Sequence, residues 1–362
     1  MPKYWEWTED VLARSIDILS TASIRQAVYA SVYSYAKDLH IMCAFFEGWC
    51  PGTNTFHTVE GEFFISLWDL KKLGGLLVVG EIYDETVSQL SILKSTTEEK
   101  NLTVPATCTF LFTAFHYLAK ESKDKGEFSA QQWIDFWCKR QVLYPPPVKS
   151  RRTTKNTPAS TQNPSGEIEP RTSDEWTEEE HSLFEKLGCN DSRWAKIYLA
   201  AHLSCCLCVF VLPEDSDRLI RPATFKIASM MAEDRVFSLA IPLLASIYKG
   251  LNGLATSINP GYSRSFFPAH YLYEWIANYF DTYHAINPSP TGPHMTKYSG
   301  PVGARNAKPE EARKLMHEER NFDAKRFMLN KHRVDVLLDN GDLDTLGSTI
   351  LHPFVPPICV CV

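Results

Sequence analysis

Residues 197–212 read IYLAAHLSCCLCVFVL, sixteen consecutive positions without a charged side chain. How this run is read decides the fold. A membrane-spanning helix needs about 20 apolar residues, so the run is short for a span and reads as a buried core helix over Ala195–Leu212. A helix that is apolar on every side must be surrounded by other elements.

The flanking sequence supplies them. Downstream, helical spacing covers Thr224–Ala232, Leu239–Leu254 and Pro268–His284, and Pro309 opens a charged helix at the first-turn position that proline favours. Upstream of the run, Thr177-x-x-Glu180 has the form of a capping box, with the helix it opens ending at Gly188. Nearer the N-terminus, Thr8 is a candidate cap for a helix with Leu12, Ile16 and Leu19 on one face. Ile24–Leu39 continues helical through Val28, Val32 and Tyr35. Glu62–Ile65 is extended, and Ser66 caps SLWDLKKLGG, which Gly74 and Gly75 end. LLVVG (76–80) reads as a second short strand. Phe110–Lys120 and Ser129–Arg140 are helical, the latter with Trp133, Phe136 and Trp137 on one face.

One stretch breaks the pattern. Pro145–Ser173 is rich in Pro, Ser, Thr and Asn and nearly empty of large apolar side chains, so it cannot offset the entropy of ordering and reads as a linker. The expected organisation is an N-terminal lobe over 1–144, the linker over 145–173, a C-terminal lobe over 174–304, and a charged helix with an apolar, proline-broken tail over 305–362. The fold class is mainly α: two helical lobes with a few short β-strands.

With 44% apolar residues in 362, the chain can bury a sizeable core. Its formal charge of −6 argues against a dedicated nucleic-acid binder, which carries a basic excess. The N-terminal MPKYWEWTEDVLAR has no apolar signal-peptide core, and a chain this long does not need a disulfide framework. The ten cysteines are therefore expected to be reduced and mostly buried, inside a cell and away from membranes.

Few residues suggest chemistry. His202, Cys205 and Cys208 fall three apart on one helix face and could form a soft zinc site if Cys189 or a tail cysteine supplied a fourth ligand. Structural zinc sites usually place paired cysteines on turns, so buried thiols and a core histidine are the plainer reading. Trp176-Thr-Glu-Glu-Glu-His-Ser-Leu-Phe184, with Trp194 beyond it, resembles the start of a Myb repeat. Such a repeat needs a basic helix in the major groove, and the uncharged 197–212 run stands where that helix would be. Lys149, Arg151, Arg152 and Lys155 form a basic patch within the linker, suited to nuclear localisation or to touching nucleic acid. Gly74, Gly75 and Gly80 do not have dinucleotide or P-loop spacing, and no Gly-x-Ser-x-Gly or His-Glu-x-x-His motif occurs. Asp69, Asp84 and Asp281 have no spacing that asks for a metal. No cofactor is expected.

Several longer stretches share a family likeness. They are YWEWTEDVLAR (4–14), FFEGWCPGTNTFHT (45–58), GEFFISLWDLKKLGGL (61–76), LFTAFHYL (111–118), IYLAAHLSCCLCVFVLP (197–213), IRPATFKIASMMA (220–232) and SLAIPLLASIYKGLN (238–252). Together they resemble the plant mobile domain of transposon- and retrotransposon-derived plant proteins and of maintenance-of-meristems proteins. The likeness covers roughly residues 4–285, with no counterpart after about 305. It implies a nuclear, non-catalytic protein acting through protein partners, linked to transposon silencing, gene expression and meristem maintenance. Some relatives act with a protein-phosphatase-like partner. It brings no catalytic residues. The label "aminotransferase-like" sometimes attached to the family has no support here, because a pyridoxal enzyme needs a Schiff-base lysine and a phosphate cup. Two other readings stay open: a nucleic-acid-binding accessory of a transposable element, and an uncharacterised enzyme.

Overall fold

The structure is a computed structural model. It describes residues 1–35, 37–59, 61–85, 105–121, 129–139, 142–143, 171–172, 182, 191–214, 218–256, 266–280, 282, 292–300 and 307–317. The expected linker patch (Lys149, Arg151, Arg152, Lys155), the Thr177–Glu180 capping box, Cys189, Asp281 and the C-terminal tail lie outside these residues.

The fold is mainly α. At its centre is α8 (Asp191–Cys206), which runs on into a π-helical turn, Leu207–Val211. By length and composition the helix over Arg193–Val211 could cross a membrane. Here it is enclosed instead: Leu199 to Ser204 are fully buried. It packs against α1 (Tyr4–Arg14), α6 (Ala106–Glu121), α7 (Ala130–Trp137) and α9 (Thr224–Met231). The sixteen uncharged residues thus have apolar neighbours on every side, as their composition requires.

A second group packs beside the first. It contains α4 (Leu39–Glu47), α5 (Leu67–Gly74), α10 (Ala240–Ala255), α11 (Ala269–Tyr279) and α12 (Pro309–His317), with a small antiparallel sheet. The sheet order is β1 (Trp49–Cys50), β2 (Thr55–Thr58), β3 (Gly61–Phe63), with Trp49 opposite Phe56 and Phe56 opposite Phe63. A separate two-residue pair joins β4 (Val142–Leu143) to β5 (Arg171–Thr172). The two expected lobes share one buried cluster. Trp133 stacks on Phe225 at 5.5 Å, and its Nε1 donates to the Ala201 carbonyl at 3.0 Å.

Side-chain caps fix three of the helix starts. Ser66 and Asp69 close a capping box, and Gly75 ends α5 with φ 66°. Ser129 and Gln132 form a second box at α7. Asp38 caps α4 by accepting from the His40 and Ile41 amides, and its other oxygen accepts from Ala307 N at 3.0 Å.

Three expectations are corrected. Thr8 does not cap a helix: it lies inside α1, and its hydroxyl donates to the Tyr4 carbonyl at 2.7 Å. The helix expected over 24–39 stops at Ala30 (α3, Arg25–Ala30), and Leu39 instead opens α4 and is exposed. Between the two helices Tyr35 bridges to Ser299 and Gly300, and Gly300 N donates to the Ser34 carbonyl at 2.7 Å, so this stretch is drawn out of helix; the Asp38 cap then fixes a new start. LLVVG is not a strand. Only Glu81, just after it, makes a bridge, to Phe237.

Candidate functional site

Polar side chains buried along α8 are tied to residues on the helices around it. The single hydroxyl hydrogen of Thr8 goes to the Tyr4 carbonyl, so at 3.0 Å Thr8 Oγ1 must accept from His202 Nε2. That fixes the neutral tautomer of His202 with its proton on Nε2. The ring stacks on Tyr4 (5.7 Å, 14°) and meets Trp7 edge-on (5.0 Å, 88°). Burial pushes its pKa down to about 3. Tyr4 Oη donates to Ser31 Oγ at 3.0 Å, which donates on to the Val28 carbonyl.

The same logic orders the next turn. Thr224 Oγ1 donates to the Arg221 carbonyl at 2.7 Å and so accepts from Ser204 Oγ at 2.8 Å. Cys208 Sγ accepts from the Arg221 amide at 3.4 Å. The Arg221 guanidinium forks onto Glu85, at 3.0 and 2.7 Å, and Tyr83 donates to the same carboxylate. Burial raises the thiols of Cys205, Cys206 and Cys208, that of Cys206 to about 11. These are protonated, unreactive sulfurs.

Helix α11 adds a third set, of half-buried His270 and buried Glu274. His270 lies against Phe210 (4.5 Å) and Tyr271 (4.4 Å), and burial with Lys37 nearby brings its pKa down to about 3. Glu274, one turn on, is 2% exposed, and burial pushes its carboxyl well up. Among the described residues its Oε2 has no hydrogen-bond partner. Nothing in the sequence marked this glutamate, because only the packing around α11 buries it.

Of the three residues His202, Cys205 and Cys208, His202 is hydrogen-bonded to Thr8 and Cys208 to the Arg221 amide, while Cys205 has Cys206 and Cys208 near it. Among the described residues no three His, Cys, Asp or Glu side chains converge on a metal position. Asp69 accepts from Ser66 N and from Tyr279 Oη, both at 2.7 Å. Asp84 is exposed on the loop after α5. Trp194 is half-buried on α8 against Trp137 and Tyr198.

The surface offers a different feature. Residues 77–85 lie along 233–241, held by Glu81 N to Val236 O (2.8 Å), Ser238 N to Glu81 O (3.0 Å) and Ala240 N to Leu77 O (3.0 Å). Gly80, at φ 148°, sits where a Cβ would come within 2.9 Å of the Phe237 backbone, so only glycine permits the approach. Arg235 forks onto Glu81 as Arg221 does onto Glu85. This braced segment exposes Val79 (70%), Ile82 (86%) and Ile241 (51%). The strand expected over 76–80 is instead an irregular segment with Leu76 buried and Val79 exposed, a difference the hydrophobic pattern does not carry.

Such a molecule is a helical domain built around one central helix whose 197–212 stretch is uncharged and largely buried. The plant mobile domain model matches residues 23–331, and the chain belongs to that family, a transposon-derived domain. The match starts after the 4–14 stretch and runs past 305, so α12 falls within it. The comparisons with curated proteins and with solved structures found no match.

Proposed function

We propose that this chain is a non-catalytic nuclear domain that works by binding other proteins, in the setting its family implies: transposon silencing, gene expression and meristem maintenance, with a protein-phosphatase-like protein among its partners. The observation that carries this reading is the braced, exposed set Val79, Ile82 and Ile241. Large side chains exposed on a fixed backbone suit a protein contact. Burial also moves His202, His270 and the α8 thiols away from the range useful for proton exchange near neutrality.

The test is affinity capture of the tagged chain from plant nuclear extract, with and without nuclease, for wild type and Ile82→Asp. A small set of proteins that survives nuclease and is lost in the variant supports the reading. Loss of everything with nuclease sinks it. A second reading, a nucleic-acid-binding accessory of a transposable element, rests on Lys149, Arg151, Arg152 and Lys155, four bases within seven residues. It predicts affinity that falls steeply with salt and weakens in Arg151→Ala/Arg152→Ala. A fluorescent fusion lacking those four bases tests their part in nuclear entry.

A further inference from the structure

The stretches 77–85 and 233–241 carry Glu81, Asp84, Glu85, Glu233 and Asp234 against one base, Arg235. That base is taken up by Glu81, and Arg221 from the neighbouring loop is taken up by Glu85. Asp84, Glu233 and Asp234 are exposed, Glu233 with Lys196 nearby. The two hydrogen-bonded stretches that expose Val79, Ile82 and Ile241 are thus acidic overall, with both arginines committed inside the chain and Lys196 beside Glu233. Like charge across an interface repels wrong partners, and opposite charge steers right ones. The hydrogen-bonded backbone and the Gly80 approach hold the surface in one shape, which lowers the ordering cost of binding.

We infer that this surface binds a protein segment that combines two or three aliphatic or aromatic side chains with flanking lysine or arginine. The inference rests on the protein-partner reading and adds the chemistry of the partner. An acidic segment with the same apolar residues would meet like charge, as would a nucleic-acid backbone.

Two synthetic peptides with the same apolar residues, one flanked by lysines and one by glutamates, are titrated by fluorescence anisotropy against the full chain. The lysine peptide should bind about tenfold tighter at low salt and lose much of that margin at high salt. Asp84→Lys/Asp234→Lys should cut the preference severalfold, and Ile82→Asp should abolish binding of both. Because Ile82 is 86% exposed, its replacement should leave the circular dichroism and thermal midpoint unchanged, which separates lost docking from lost folding. Equal binding of the two peptides that is still lost in Ile82→Asp overturns the charge inference and leaves the protein-partner reading standing. Binding by neither peptide, or binding indifferent to Ile82→Asp, overturns the docking surface itself. Sedimentation showing a dimer that Ile82→Asp dissociates would assign the surface to a second copy of the chain and overturn the inference too.

Discussion

The Thr8–His202 pair joins α1 to α8 with one hydrogen bond between two fully buried groups. Thr8→Val keeps the shape, strips the acceptor from the Nε2 proton and adds no replacement. A buried donor left unsatisfied costs about 1–3 kcal/mol, which urea unfolding should read as a lower midpoint at unchanged slope. The histidine also sets a pH dependence. Its folded pKa, about 3, lies below the unfolded value of about 6.5, so below pH 6.5 the unfolded chain binds the extra proton. Stability should fall as pH drops from about 6.5 towards 3, by up to about 1.4 kcal/mol per pH unit for each such histidine. His202→Gln should remove one proton from that slope. Glu274 has the opposite sign. Its folded pKa is raised, so the stability it gives is complete below about pH 4.3 and is lost as pH rises. Glu274→Gln, which resembles the protonated acid, should raise the thermal midpoint at pH 7 and make no difference near pH 4. None of these groups could be ranked from sequence. A histidine on an apolar run was legible as a core residue, whereas the depth of Glu274 depends on what covers α11.

At the level of elements, helix ends were the most readable features, because a cap is a contact between residues three apart. Ser66 and Ser129 both cap where the sequence places them. Ser66→Ala should cost about 1 kcal/mol. Asp69→Ala should cost more, since the same carboxylate also holds Tyr279 Oη, 210 positions away. Gly75→Ala should cost more than about 1 kcal/mol, because φ is 66° and the new Cβ would sit 2.2 Å from that of Gln26. Chemical denaturation of the three variants would check this order. Where local signals misled, a distant partner had intervened. Thr8 looks like a cap in isolation, but the Trp7 and Tyr4 rings that flank His202 lie on the same α1, and burying them brings Thr8 inside the helix. The 24–39 periodicity hid the break between Ala30 and Leu39, where Tyr35 bridges to Ser299 and Gly300 and Asp38 also accepts from Ala307 far along the chain.

For the molecule as a whole, the segment before residue 144 and the segment after 190 bury one another. Besides the Trp133–Phe225 stack, Trp49 Nε1 donates to Asn252 Oδ1 at 2.9 Å and Tyr248 Oη to the Ile65 carbonyl at 2.6 Å. Unfolding should therefore be a single transition, with tryptophan fluorescence and far-ultraviolet circular dichroism superimposed. Two separated transitions would mean the lobes fold independently. Trp275→Ala, which removes a fully buried ring, should cost about 3–5 kcal/mol and lower that one transition as a unit. Composition, hydrophobic period and capping residues were enough to determine a mainly helical protein around the 197–212 helix, because these are local properties of the chain. The broken 24–39 helix, the burial of Glu274 and the exposure of Val79 and Ile82 on a segment hydrogen-bonded to 236–240 were decided only by the tertiary structure, because each depends on which distant residues come to lie beside it.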